Sequence, residues 1–244
     1  MHRKRYGETD MAKLFQHQTL GDLMAGFFDG SMTIEALLKE GNYGIGTMNH
    51  LDGELIVIDG KAYQAKEDGE LVVLKGDETV PYAAVTDFTP DQTFTVNELF
   101  TLDEWHQFLK GKLKSLSTFS VIRIEGSFDF MHTRVIPRVE EPFPRFIEAS
   151  RKQPEFKQEN VKGTCIGIYG PYLFEGVVKQ GFHCHFISED KNFGGHIIDY
   201  RINHADVSVQ TVTDFHQHFA TNNPDFMNAT VNYDNLITEI NESE

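Results

Sequence analysis

The sequence has little of what stabilises small secreted scaffolds. Only two cysteines, Cys165 and Cys184, occur in 244 residues, and no CxxC pair is present. A disulfide framework is therefore excluded, and a reducing cytoplasm is the expected location. Positive charge is also scarce: 22 Lys and Arg stand against 37 Asp and Glu, a formal charge of −15. Phosphate backbones and anionic lipid surfaces would be repelled, so neither nucleic acid nor membrane is an expected partner. No run approaches the ~18 apolar residues of a membrane span. The basic start MHRKRYGETD is followed by no apolar stretch of signal-peptide length. Residues 1 to 10 read as a flexible polar extension. Internal repeats and low-complexity segments are absent as well.

What remains is long enough to bury a full core without disulfides or a structural metal, so a metal site in this chain is expected to do chemistry rather than hold the fold. Twenty phenylalanines and twenty glycines, with β-branched runs cut by glycine-containing turns, point to a sheet-rich globular protein. TLGDLMAGFFDG, residues 19 to 30, predicts a helix carrying Leu20, Leu23, Met24 and Phe27 and ending on Gly30. A second helix is expected from Thr33 as N-cap to Gly41. Asp-Gly then recurs at 52, 59 and 68 between apolar or alternating runs, which predicts an antiparallel meander.

LDEWHQFLKGKLKSL, residues 102 to 116, predicts a helix capped by Asp103, with Trp105, Leu109 and Leu113 facing a sheet. TFSVIRIEG and SFDFMHTRVIP read as two strands, the second placing Phe128, Phe130, His132 and Arg134 on one face by its two-residue period. Residues 140 to 161, rich in Pro and charge, are the expected divide between two halves. Beyond it GTCIGIYG, YLFEGVVKQ, GFHCHFIS, GHIIDYRI and DVSVQTV read as five strands, and a short helix follows Asp234.

The chemistry is concentrated in GFHCHFISEDKNFGGHIIDY, residues 181 to 200. On a strand, His183 and His185 project from one face while Cys184 projects from the other. The ten residues between His185 and His196 suit two antiparallel strands joined by a turn around SEDKNFGG, which returns His196 to the pair. Three imidazoles with one open coordination position form a catalytic arrangement for zinc, whereas a structural site is normally closed by a fourth protein ligand. Taken alone, the same residues also fit histidines that merely pack or face solvent. Cys184 reads as a small packing residue.

GFHCHFISEDKNFGGHIIDY resembles the metal-binding hairpin of the α-acetolactate decarboxylases, G-[FY]-H-x-H-F followed by GGH-[VI]-x-D-[FY]. GNYGIGTMNHLDGELIVIDGKAYQ, residues 41 to 64, resembles that family's N-terminal segment. MHTRVIP resembles its arginine strand, and RKQPEFKQENVKGTCIGIYGP its segment ahead of the hairpin. The resemblance covers roughly residues 14 to 244 with motifs in order. It implies zinc ligands at His183, His185 and His196, a glutamate near the metal at Glu54, the motif threonine at Thr47 and the active-site arginine at Arg134. It further implies a glutamate from the C-terminal tail, for which Glu244 is the best match and Glu242 competes. Cys184 departs from the bulky aliphatic residue usual there, a change expected to affect packing behind the site more than the metal.

The fold implied is α/β (α+β), in two domains built on mixed or antiparallel sheets with a few helices. Residues 11 to 140 form the first domain and 141 to 244 the second, which carries the metal-binding hairpin. A homodimer joined through the N-terminal sheets is also implied. The implied reaction is zinc-dependent conversion of (S)-2-acetolactate to (R)-acetoin and CO2 through a metal-stabilised enediolate, serving acetoin and 2,3-butanediol formation in a bacterium, without an organic cofactor. Arg134 suits the substrate carboxylate or the developing enediolate, and a glutamate suits proton delivery. Which of Glu54 and the tail glutamate is the acid stays open. A cupin-like metal oxygenase and a non-catalytic zinc-binding module are the rival readings.

Overall fold

The computed structural model describes residues 12–231 and 233–243. The extension expected at residues 1 to 10 and the tail residue Glu244 lie outside the described residues. The first half runs β1 (Lys13–His17), α1 (Leu20–Met24), β2 (Met32–Thr33), α2 (Ile34–Leu38), β3 (Tyr43–Thr47), β4 (Glu54–Ile58), β5 (Lys61–Ala65) and β6 (Leu71–Val73). It continues through β7 (Thr79–Val80), β8 (Tyr82–Thr86), β9 (Gln92–Val96) and α3 (Leu102–Lys112). The second half runs β10 (Ser120–Arg134), α4 (Phe146–Ser150), β11 (Glu155–Gly170), β12 (Gly181–Ser188), β13 (Gly194–Thr211), β14 (Asp214–His218), α5 (Pro224–Asn228) and α6 (Leu236–Ser243). The protein is thus a mixed α+β fold, mostly strand with a few short helices, as the sequence leads one to expect.

Seven strands form one sheet in the order β14-β1-β8-β3-β4-β5-β6, antiparallel except where β14 lies parallel to β1. In the second sheet, β10 pairs with both β11 and β13, and β12 also pairs with both, so four strands close on one another and β9 adds to β13. Strands from both sides of residue 140 share each of these sheets. The sheets pack face to face through Tyr43, Ile45, Ile56 and Ile58 on one side and Val121, Ile166, Ile168 and Ile187 on the other. That arrangement explains the unbroken apolar run ELIVI. Ile56 and Ile58 enter this shared core, while Leu55 and Val57 enter a second one with Leu37 of α2.

The meander predicted from the three Asp-Gly pairs is β3 to β6, and Asp59 and Gly60 both take positive φ in its tightest turn. Thr33 caps α2 by accepting from the Ala36 N–H, as expected. On α3, Trp105 is fully buried beside Leu109 and Val207, and truncating it to Ala would cost about 3–5 kcal/mol.

Several local expectations are corrected. The first helix stops at Met24, because Gly26 turns the chain at φ +103°, and Phe27 lies beyond it. The cap of α3 is Thr101, not Asp103: Thr101 and Glu104 form a reciprocal capping box. The two strands predicted over 118–137 are one continuous strand, β10. Asp129 is skipped in the register with both neighbouring strands, and this bulge puts Phe128 in the core with Met131, off the face that carries Phe130 and Arg134. YLFEGVVKQ is not a strand. Pro171 closes β11, Tyr172–Phe174 form a 3-10 turn, and Gly176 takes φ +94°. The last two strands predicted before residue 212 are the single strand β13.

Candidate active site

One cavity gathers the residues singled out in the sequence. It lies where the ends of β3, β4 and β8 meet β10, β12 and β13, and α1, α4 and α6 cover it with Leu23, Phe146 and Ser243. His183, His185, His196, Arg134, Glu54 and Thr47 all line it.

Strand alternation sets His183 and His185 toward the cavity. Cys184 turns to the opposite side, onto the aromatic core around Trp105 and beside Cys165. His196 is the direct cross-strand partner of His185. The two glycines before it make this pairing possible: a Cβ on Gly194 would stand 2.7 Å from the Phe186 carbonyl oxygen, and one on Gly195, at φ +137°, 2.7 Å from that of Arg134. Only glycine lets β13 enter so closely between β12 and β10.

The three imidazoles offer ligand atoms all within 4.8 Å of one another, a group that could hold a metal ion. Their chemistry fits one. His185 Nδ1 donates to the Leu55 carbonyl oxygen at 2.9 Å, which in the neutral ring leaves the Nε2 lone pair directed inward, 3.6 Å from Glu54 Oε2. Two electron-rich atoms facing each other at that distance suit a cation between them. Burial, helped by the charges of Lys179 and Arg134, lowers the His183 pKa to about 3. Burial and Arg134 hold His196 well below its ordinary value too. Both rings are neutral at pH 7, the form that binds metals.

Glu54 is presented by a turn that sequence reasoning located only in part. Gly53 takes φ +93°, where a Cβ would stand 2.1 Å from the Ala65 carbonyl oxygen, and so turns the chain from Asp52 into β4. Thr47, the cross-strand partner of Glu54, donates its hydroxyl to the Gly53 carbonyl oxygen at 2.9 Å. Thr47 therefore braces the turn. Glu54 Oε1 accepts the Ile136 backbone N–H at 3.0 Å, tying β4 to the segment after β10. That partner is a backbone group and left no signal in the sequence. Arg134 is not paired with Glu140; Arg138 takes that role.

The tail docks over the cavity. Ile240 is fully buried, Arg145 pairs with Glu239 at 2.7 Å, and Tyr233 Oη donates to Asp22 Oδ1 at 3.2 Å. The Ser243 carbonyl oxygen accepts from Arg134 Nη2 at 2.6 Å. Glu242 points outward, 53% exposed, and pairs with Arg151 at 3.3 Å. Sequence reasoning missed Leu23, Tyr82, Ile136, Phe146, Gln153 and Ser243 as lining residues. Ile136 and Gln153 fall in segments that resemble the family's but carry no implied role there, and Leu23, Tyr82, Phe146 and Ser243 lie outside those segments.

Comparison with known proteins agrees with this architecture. The family model for alpha-acetolactate decarboxylase matches residues 14–233. The alpha-acetolactate decarboxylase of Lactococcus lactis subsp. lactis is 43% identical over 240 residues, covering 97% of this chain and 100% of that one. That of Bacillus subtilis is 32% identical over 234 residues, covering 96% and 91%. A solved structure from Staphylococcus aureus, described as a protein of unknown function similar to alpha-acetolactate decarboxylase, has a TM-score of 0.93 at 42% identity, covering 95% of this chain and 100% of that one. The Bacillus subtilis strain 168 enzyme gives 0.92 at 33% identity, covering 95% and 99%. Fold, site and relatives thus define a decarboxylating lyase. The chain belongs to the α-acetolactate decarboxylase family.

Proposed function

We propose that the protein converts (S)-2-acetolactate to (R)-acetoin and CO2, with zinc held by His183, His185 and His196. The observation that carries this reading is the meeting of those three imidazoles with Glu54 and Arg134 in one cavity of a family member. A bound divalent cation would supply an electrophile beside the bond that breaks.

The chain's own residues supply the rest. Loss of CO2 from a β-keto acid leaves an electron pair on the substrate as an enediolate, which needs fixed positive charge nearby. Arg134, permanently charged and held by the Ser243 carbonyl, lies where it can orient the carboxylate and then stabilise that charge. A guanidinium is a poor proton donor, so protonation falls to a carboxyl group. Glu54 is fixed on one oxygen by the Ile136 N–H and is read as the orienting carboxylate. Glu244, which follows Ser243 in the sequence, is read as the acid that protonates one face. Leu23, Ile136 and Phe146 give the cavity apolar walls for the substrate's two methyl groups and limit access of water.

No helix among the described residues is long and apolar enough to cross a membrane. A cytoplasmic homodimer joined through its N-terminal sheets is part of the same proposal. The test is acetoin and CO2 formation from racemic acetolactate by the purified protein. Absence of CO2 release from zinc-loaded protein would contradict it.

A further inference from the structure

Gln153 follows α4 and leads into β11, in a stretch that from its composition reads as a linker. The ladder between β10 and β11 brings Arg134 opposite Glu155 and is extended by the Val135 N–H, which donates to the Pro154 carbonyl oxygen at 3.2 Å. Continuing in that direction sets Gln153 near Ile136, whose N–H holds Glu54. The side chain lines the same cavity as the three histidines and Arg134. Its Oε1 is buried and has no hydrogen-bond partner among the described residues.

A buried amide oxygen without a donor is costly, and native structures carry few of them. Two polar groups beside it in the cavity already have partners: Glu54 Oε1 accepts a backbone N–H, and the Thr47 hydroxyl donates to the Gly53 carbonyl oxygen. The acetolactate anion presents a carboxylate and a ketone, which only accept hydrogen bonds, and a single donor, its tertiary hydroxyl. One buried acceptor lacking a donor thus shares a cavity with a substrate that carries one donor.

We infer that Gln153 is a substrate-binding residue whose Oε1 accepts a hydrogen bond from the tertiary hydroxyl, so that the enzyme distinguishes 2-hydroxy-3-oxo acids from 3-oxo acids lacking that hydroxyl. This inference rests on the acetolactate reading proposed above. Recognition of this kind discriminates well, because a ligand without the hydroxyl leaves the buried oxygen unpaired.

The test compares wild type with Gln153→Met, which keeps the volume and removes the acceptor, and with Gln153→Glu, which keeps an acceptor and removes the amide donor. Two quantities are measured: kcat/KM for acetolactate, and Ki for 2,2-dimethyl-3-oxobutanoate, in which a methyl group replaces the hydroxyl. Gln153→Met should lose about tenfold in kcat/KM. Its Ki should stay within about twofold of wild type, with metal content and Tm retained, since removing an unpaired polar group does not destabilise the fold. Gln153→Glu should keep the wild-type ratio of the two quantities, because its added charge acts equally on both anions.

Wild-type kcat/KM in Gln153→Met overturns the inference, as does an equal loss for both ligands, which would give Gln153 a general structural part. If Gln153→Met does not fold, a tenfold fall of the ratio in Gln153→Glu overturns it and an unchanged ratio supports it. Wild-type protein inactive toward acetolactate overturns the parent reading and this one together, a result distinct from an active wild type matched by its variants.

Discussion

Arg134 and His196 stand directly opposite each other across β10 and β13, and Arg134 Nη2 donates to His196 Nε2 at 3.2 Å. The same Nη2 donates to the Ser243 carbonyl oxygen, so one guanidinium links the histidine cluster to the docked tail. Arg134 helps keep His196 neutral, yet it occupies a lone pair that a metal ion could use.

Arg134→Met should therefore separate metal binding from turnover. Zinc affinity measured by competition with a chromogenic chelator should hold or tighten, because a competing cation has gone. For acetolactate, kcat/KM should fall by about two orders of magnitude. A non-catalytic zinc-binding module would show no chemical loss at all. Weaker zinc binding in the variant would make Arg134 a support for the metal site instead.

Glu54→Gln keeps an oxygen for the Ile136 N–H and removes the charge beside His185. Its Tm should stay within a few degrees of wild type while turnover drops about 10²–10³-fold. A large fall in Tm would show that the charge holds the fold.

His17 provides a pH dependence separate from the active site. Its Nδ1 lies 2.9 Å from His218 Nδ1 and its Nε2 2.8 Å from Ser31 Oγ, and burial and then His218 lower its pKa to about 4. Unfolded His17 takes up a proton near pH 6.5, so between that value and about 4 the unfolded state binds more protons. This contribution is complete above about pH 6.5 and is lost as pH falls toward 4. Urea titrations at pH 5 and 7.5 should show His17→Gln losing less stability on acidification than wild type, by on the order of 2 kcal/mol. Equal losses would remove His17 as the cause.

Truncation after Ile240 removes the Ser243 carbonyl while keeping the buried Ile240 and the Arg145–Glu239 pair. Metal content should be retained and turnover cut sharply. Glu242→Ala, which removes only an exposed ion pair with Arg151, should change stability by less than about 1 kcal/mol and leave activity intact. Full activity of the truncated protein would remove the tail from the mechanism.

Local chemistry made much of this protein readable from its sequence. Asp-Gly turns announced the meander, and strand parity brought His183 and His185 to one face with Cys184 behind them. The glycine pair before His196 was legible as part of a turn, and the close approach of three strands that it permits emerges only in the fold. The family motifs named Glu54 and Arg134, which the structure brings into the same cavity.

Other features depend on contacts that no local pattern encodes. The parallel pairing of β1 with β14 joins residues 201 apart, such as His17 and His218. The bulge at Asp129 reverses the face of Phe128 without any glycine or proline to announce it. Thr101 displaced Asp103 as a cap because its hydroxyl and the Glu104 carboxylate satisfy each other's backbone groups. Leu55 acts through its carbonyl oxygen, which every residue offers, and Ile136 through its N–H, which every residue but proline offers.

Metal removal and return tests the central claim most directly. Protein stripped with a chelator and freed of it should release no CO2 from racemic acetolactate, and one equivalent of zinc should restore both CO2 release and acetoin formation. Undiminished turnover in the stripped protein, or none after zinc is returned, would contradict the account.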